Sequence, residues 1–134
     1  MLTGGCVCGA VRYRIDAPPL VMYHCHCGQC RHNNGASFAT NVLVRTESFA
    51  VTEGERVLTA FESSPRKWRY FCSRCGTPIY SAADATAKIR SVRCGTLDGD
   101  PGLRPSQHVY VASRAPWTEI CDGLPQKPAG MADS

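Results

Sequence analysis

The segments Gly5-Cys6-Val7-Cys8-Gly9 and Cys72-Ser73-Arg74-Cys75-Gly76 decide the fold. Each places two thiols in a glycine-containing turn, and two thiols are half of the ligand set of a tetrahedral structural zinc site. A metal ion that joins the two pairs closes a loop of about 64 residues and so removes conformational entropy from the unfolded chain. The sequence therefore predicts a structural zinc held by what we call the four-cysteine cluster: Cys6, Cys8, Cys72 and Cys75.

Three more thiols lie in the segment Cys25-His26-Cys27-Gly28-Gln29-Cys30. A C-x-C-x-x-C run can wrap one metal ion, and thiolates select Zn²⁺, Cu(I) or iron–sulfur clusters. This three-cysteine cluster (Cys25, Cys27, Cys30) has no evident fourth ligand, because the other two pairs satisfy each other. The candidates to complete it are His24, His26, His32 and Cys94.

The charge of the three-cysteine cluster indicates its chemistry. Three thiolates on Zn²⁺ carry a net charge of about −1, which makes the ion a poor Lewis acid for activating water, in contrast to the His₃ sites that make hydroxide. A thiol that binds at the open position would lose its proton and remain nucleophilic toward an electrophile. The ligand set therefore favours a thiol substrate over a hydrolytic water.

Nine cysteines in 134 residues would indicate disulfide bonds in a secreted protein. The N-terminus has no basic segment followed by an apolar one, so we expect no signal peptide. No apolar run approaches the about 18 residues that span a membrane. We therefore expect a cytoplasmic protein without membrane contact, whose reduced cysteines bind metal.

Charged residues make up 19% of the chain, and the net charge is only +4. This charge gives thin support for a nucleic-acid partner. The basic segment Arg66-Lys67-Trp68-Arg69, followed by Arg74, contains no acid. Two interpretations stay open for it: a solvated strand face or an anion-binding rim beside the metal site.

Short segments rich in β-branched and aromatic residues predict strands throughout the chain, with almost no helical periodicity. They predict one all-β domain over residues 1–125 and a flexible C-terminal tail over residues 126–134. The residues after Cys30 are expected to form a polar turn or one short helical turn. Trp117 to Cys121 is expected to make the last core contact. The predicted strands are 11–15, 20–23, 37–44, 49–51, 58–61, 67–71, 78–81, 88–94 and 107–112.

These motifs resemble the family of glutathione-dependent formaldehyde-activating enzymes, which shares its domain with centromere protein V. The resemblance implies a β-tent of short, curved antiparallel strands around a structural zinc. It also implies two zinc ions per chain, a structural one at the four-cysteine cluster and a catalytic one, sometimes absent, at the three-cysteine cluster. The matching segments are 5–9, 25–31, 69–76, 95–98 and, at the end, Trp117 with 122–125.

The activity that the resemblance implies is that of a carbon–sulfur lyase, which adds the thiol of glutathione to formaldehyde or a related aldehyde. Glutathione carries two carboxylates, so its site should have a cationic rim. The candidates for that rim are Arg31, Lys67 and Arg69. Two other interpretations stay open: a non-catalytic zinc module that binds a partner, and a metal-handling or redox protein that uses the three-cysteine cluster as exchangeable thiols. The aldehyde and the oligomeric state are left open.

Overall fold

Ten short strands carry the fold in residues 1–131, the part of the chain that this computed structural model describes. One α-helix, α1 (Gly28–Asn34), lies between the third and fourth strands, and the described residues also contain three single-turn 3-10 helices. None of the described helices is long and apolar enough to cross a membrane. The strands are β1 (Leu2–Gly5), β2 (Arg12–Ile15), β3 (Val21–Cys25), β4 (Ala39–Arg45), β5 (Phe49–Glu53), β6 (Leu58–Ser64), β7 (Lys67–Cys72), β8 (Pro78–Ala82), β9 (Ile89–Arg93) and β10 (His108–Val109).

The strands form two sheets. The smaller has the order β1-β2-β5, and the larger has the order β10-β3-β4-β9-β8-β7-β6. All strand pairs are antiparallel except β10 with β3, which runs parallel and places Val109 beside Cys25. The prediction of an all-β fold is confirmed.

Both sheets contribute to the main hydrophobic cluster, which includes residues of β2, β4, β5, β8 and β9. Tyr13 stacks on Phe49 with ring centroids 5.1 Å apart, and Phe49 contacts Tyr80 at 5.0 Å. Cys6 and Cys72 belong to this cluster and are buried. A second cluster of buried residues contains two thiols of the three-cysteine cluster. Its members are Tyr23, Cys25, Cys30, Ala39 and Val109.

Helix α1 is longer than the expected single turn. Cys27 is its N-cap, with Sγ accepting a hydrogen bond from the Cys30 amide at 3.3 Å. The helix ends at Gly35, which adopts the left-handed conformation at φ 59° that favours glycine as a helix terminator. Only Cys30 of this helix is buried, so its sequence shows no apolar periodicity that would have predicted it.

Two segments near the chain ends differ from the sequence-based expectation. Strand β1 was not predicted; its Gly4 leaves room for a neighbour, since a Cβ there would lie 2.4 Å from the Thr96 carbonyl oxygen. The expected core contact of Trp117 to Cys121 is wrong: Trp117 is 70% exposed and Cys121 is exposed. The nearest buried residue along the chain is Ala115, while the Trp117 indole donates a hydrogen bond to Ser37 at the surface.

The segment after residue 124 runs beside β10. The amide of His108 donates to the Pro125 carbonyl, the amide of Lys127 donates to the His108 carbonyl, and the amide of Tyr110 donates to the Ala129 carbonyl, at 2.8–2.9 Å. Met131 packs against the second hydrophobic cluster. The segment predicted to be a flexible tail therefore contributes to the surroundings of the three-cysteine cluster up to residue 131, and residues 132–134 lie outside the described part.

Gly54 provides a test of close backbone packing. It has φ +83°, and a Cβ there would lie 2.1 Å from the carbonyl oxygen of Ala10. We expect Gly54→Ala to lower the free energy of unfolding by about 3 kcal/mol, from the left-handed backbone and the steric overlap together. Gly9→Ala is the matched control, because Gly9 has φ +80° with nothing within 4 Å, so only about 1–2 kcal/mol should be lost. Urea unfolding measures both, and equal losses would contradict the packing argument.

Candidate metal centres

The four-cysteine cluster joins the start of the chain to the end of β7. The Sγ atoms of Cys6 and Cys8 are 3.5 Å apart, and those of Cys8 and Cys72 are 3.8 Å apart. All four sulfur atoms lie within 4.8 Å of one another. Tetrahedral zinc with bonds of about 2.3 Å requires sulfur atoms about 3.8 Å apart. The structure therefore brings the four predicted ligands together with the spacing that one zinc ion needs.

Backbone hydrogen bonds hold these thiols in place. The amide of Val11 donates to the Cys6 sulfur at 3.2 Å, and the amide of Cys6 donates back to the Val11 carbonyl. On the other side, the Thr77 hydroxyl lies 3.1 Å from the Cys75 sulfur. Hydrogen bonds from the Thr77 side chain and backbone lower the pKa of Cys75 to about 5, which favours the thiolate form that binds metal.

The three-cysteine cluster is built from two adjacent elements. Cys25 ends β3, Cys27 caps α1 and Cys30 lies in the first turn of the helix. Their sulfur atoms lie within 4.8 Å of one another. Hydrogen bonds from Cys25 and Cys30 lower the pKa of Cys27 to about 2, and the same interaction raises the pKa of Cys25 well above its ordinary value. These interactions therefore favour the thiolate form of Cys27 over that of Cys25.

Among the described residues, no further Cys, His, Asp or Glu joins the three-cysteine cluster. His24 pairs through Nδ1 with the Thr40 hydroxyl, and the His26 ring pairs with His108. His32 Nδ1 is 2.7 Å from the Gly28 carbonyl. Cys94 packs against the main hydrophobic cluster. The four residues considered as a fourth ligand thus make contacts elsewhere, and the three-cysteine cluster offers three thiols as its donor atoms.

A cavity of about 530 Å³ lies at the three-cysteine cluster. Its wall includes the N-terminal part of α1, Asn41 of β4, Lys67 and Arg69 of β7, and Met131 of the C-terminal segment. Arg31 is not among the lining residues; it borders a separate depression with Ser37 and Trp117. The volume is within the range of small-molecule sites.

Residues 1–113 match the family model described as glutathione-dependent formaldehyde-activating enzyme. The chain belongs to this family. A Halomonas elongata protein, whose name assigns it provisionally to the same enzymes, is 27% identical over 129 residues, which cover 90% of this chain and 81% of that protein. A crystal structure of a Rhodobacter sphaeroides protein superposes with a TM-score of 0.61 at 23% identity, over 77% of this chain and 91% of that one; this likeness shows the fold alone.

Three cations surround the thiols of this family member. Lys67 is half-buried at the cavity, and burial, then the charges of Arg69 and Arg93, lower its pKa. Arg69 and Arg93 are only 3% and 4% exposed. Among the described residues none of the three forms an ion pair with a carboxylate. The surroundings therefore carry an excess of positive charge that can stabilise thiolates and anionic substrate groups.

Arg93 was missed by sequence reasoning. It lies at the end of β9 and donates from Nη1 to the Asn41 side chain at 3.3 Å and to the Ser91 carbonyl at 3.1 Å. Burial lowers its pKa. The sequence did contain a signal for this residue: Arg93 lies inside a predicted core strand and has no acid beside it in sequence.

Proposed function

We propose that this protein is a zinc-dependent carbon–sulfur lyase that adds the thiol of glutathione, or of a related carboxylate-bearing thiol, to formaldehyde or a related small aldehyde. The observation that carries the proposal is a cavity in which three thiols lie beside Lys67 and the buried Arg69. Within residues 1–131 the thiols have no fourth protein ligand and neither cation has a carboxylate partner. The family description and the name of the Halomonas relative support the same activity.

Both donor sets fit zinc. All seven predicted ligands are sulfur atoms, grouped as four and three within 4.8 Å, and thiolates are the ligands that structural and catalytic zinc ions share. The four-cysteine cluster would hold a structural ion, and the three-cysteine cluster a catalytic one. A zinc ion held by Cys25, Cys27 and Cys30 would supply an exchangeable position that favours the thiolate form of a substrate thiol.

The chain's own residues would bind the rest of the thiol substrate. Arg69 donates from Nε to the Ser63 hydroxyl at 2.9 Å and from Nη2 to the Gln29 side chain at 3.2 Å, so its guanidinium is already oriented. Its Nη1 is buried and has no partner among the described residues. A substrate carboxylate would satisfy that donor, since guanidinium–carboxylate hydrogen bonds are among the strong ones.

Lys67 supplies the second positive charge at the cavity wall. Partial burial weakens its hydration, so pairing with a carboxylate loses less solvation than at an exposed lysine. In the overall reaction a sulfur–carbon bond forms and the thiol proton ends on the former carbonyl oxygen. Lys67 and Arg69 would hold the thiol so that its sulfur faces the three-cysteine cluster.

The decisive experiment measures formation of the hydroxymethyl thioether by exchange NMR with zinc-loaded protein, glutathione and formaldehyde. Because the two reactants combine spontaneously, the rate without protein is subtracted. We expect a rate that rises in proportion to protein concentration. Two tightly bound zinc ions with no acceleration over the spontaneous rate would instead indicate a zinc module without this activity.

Replacing Lys67 with methionine is expected to raise the KM for glutathione about tenfold or more, because one charge-assisted hydrogen bond is lost. The kcat should change less, since Lys67 binds the distant carboxylate rather than the sulfur. The exposed Lys88 gives the control Lys88→Met, which should behave as the unmodified protein. With 2-mercaptoethanol, which has no carboxylate, Lys67→Met should show little defect; a defect as large as with glutathione would refute the assigned role.

A further inference from the structure

The face of β3 opposite the three-cysteine cluster carries a second group of potential ligands. Side chains alternate along a strand, so His24 and Cys25 point to opposite faces. The parallel pairing of β10 with β3 places His108 beside His24, with ring centroids 4.7 Å apart. Asp122 lies in the irregular segment that precedes Pro125. One ligand atom from each of these three residues lies within 4.8 Å of the others.

Each of the three side chains is already held by a partner on another atom. His24 Nδ1 lies 2.8 Å from the Thr40 hydroxyl, and Asp122 Oδ1 accepts a hydrogen bond from the Leu124 amide at 3.0 Å. His108 Nδ1 lies 2.8 Å from a nitrogen of the buried ring of His26. Metal-binding histidines commonly donate their second ring N–H to such a partner.

This arrangement leaves one atom on each of the three residues that could bind a metal ion. His24 Nε2 has no hydrogen-bond partner in the described part of the chain, while His108 Nε2 and Asp122 Oδ2 are 2.8 Å apart. His108 is 2% exposed, whereas the side chain of Asp122 is 43% exposed. The buried His108 ring is therefore held in place, while the Asp122 carboxylate is open to solvent.

We propose that His24, His108 and Asp122 form a third metal site, for a divalent cation of borderline softness such as Zn²⁺ or Co²⁺. Two imidazoles and one carboxylate are ligands that these ions share, whereas Mg²⁺ and Ca²⁺ prefer oxygen alone. The cation replaces the proton between His108 and Asp122, and solvent completes its coordination. Nothing in this site depends on the activity proposed for the thiol-lined cavity.

Affinity at this site should be lower than at the thiolate clusters. When His108 Nε2 binds the cation, its Nδ1 must carry the hydrogen and donate to His26 Nε2. His26 then carries its own hydrogen on Nδ1, which is buried without a partner. A buried donor without an acceptor is unfavourable, so part of the metal-binding free energy is offset.

Cobalt titration of the zinc-loaded protein tests the site. Cobalt bound to nitrogen and oxygen gives visible bands without the sulfur-to-cobalt charge-transfer absorption, so exchange into the thiolate clusters is recognised. We expect a third equivalent of metal with those nitrogen–oxygen bands. His24→Ala and Asp122→Asn should each weaken that equivalent at least tenfold and leave the two tightly bound zinc ions in place.

His32→Ala is the matched control, because it removes an exposed imidazole from a different surface; the third equivalent should persist in it. Asp122→Asn keeps an amide oxygen that can accept from the Leu124 amide, and its amide N–H can donate to His108 Nε2. Its fold should therefore be retained, and circular dichroism checks this. Binding of two equivalents only, or a third that neither variant weakens, would overturn the proposal.

Discussion

Cys72→Ser is expected to unfold the domain at room temperature. Cys72 is fully buried in the main hydrophobic cluster and is one of the four proposed sulfur ligands, three of which cannot close the structural site alone. A structural zinc contributes on the order of 10 kcal/mol to folding, and a domain has only about 5–15 kcal/mol of net stability. The loss of the ion is therefore expected to remove most or all of the net stability of the domain.

The measurement is thermal unfolding followed by circular dichroism, together with zinc content. Cys94→Ser is the matched control, because Cys94 is half-buried against the same cluster but belongs to neither cysteine group. It should cost only about 1 kcal/mol, as a typical single substitution does. A Cys72→Ser protein that melts within a few degrees of the unmodified one would show that the four-cysteine cluster does not carry the fold.

Cys27→Ser is expected to abolish turnover while the domain stays folded. Serine is among the best N-cap residues, so its hydroxyl can replace the sulfur that accepts the Cys30 amide at the start of α1. It cannot replace the thiolate, because the hydroxyl does not ionise at neutral pH. The three-cysteine cluster, in which hydrogen bonds lower the pKa of Cys27, would lose its metal.

The expected result is one zinc per chain in place of two, a melting temperature within a few degrees of the unmodified protein, and a rate equal to the spontaneous reaction. Cys121→Ser serves as the control, since Cys121 is exposed and outside both cysteine groups, and it should change none of these quantities. Retained turnover in Cys27→Ser would remove the three-cysteine cluster from the proposed mechanism.

The two cysteine clusters could be predicted from the sequence because their information is local. Thiols spaced by one or two residues in a glycine-containing turn can face the same ion whatever the surrounding strands do. The pairing of Cys6 with Cys72 needed one further step, which is that two incomplete ligand sets complete each other. The all-β fold followed from the spacing of short apolar segments between turns.

The rest depended on register, which a single sequence leaves undetermined. His108 meets His24 only because β10 pairs parallel to β3 in one alignment; a shift by one residue would turn His108 to the opposite face. Arg93 reaches Asn41 because β9 and β4 place them directly opposite each other. The start and length of helix α1 were not predicted for another reason: its start is set by the side chain of Cys27 rather than by apolar periodicity.

The two cysteine clusters differ in how far apart their members lie along the chain. Their ligand sets are therefore completed at different times during synthesis. Cys25, Cys27 and Cys30 leave the ribosome together and can meet a metal ion at once. Cys6 and Cys8 must wait for Cys72 and Cys75, a delay of roughly 3–13 s at about 5–20 residues per second. The site proposed for chemistry is thus complete as a ligand set before the proposed structural site, and the nascent chain carries reactive thiols throughout the interval.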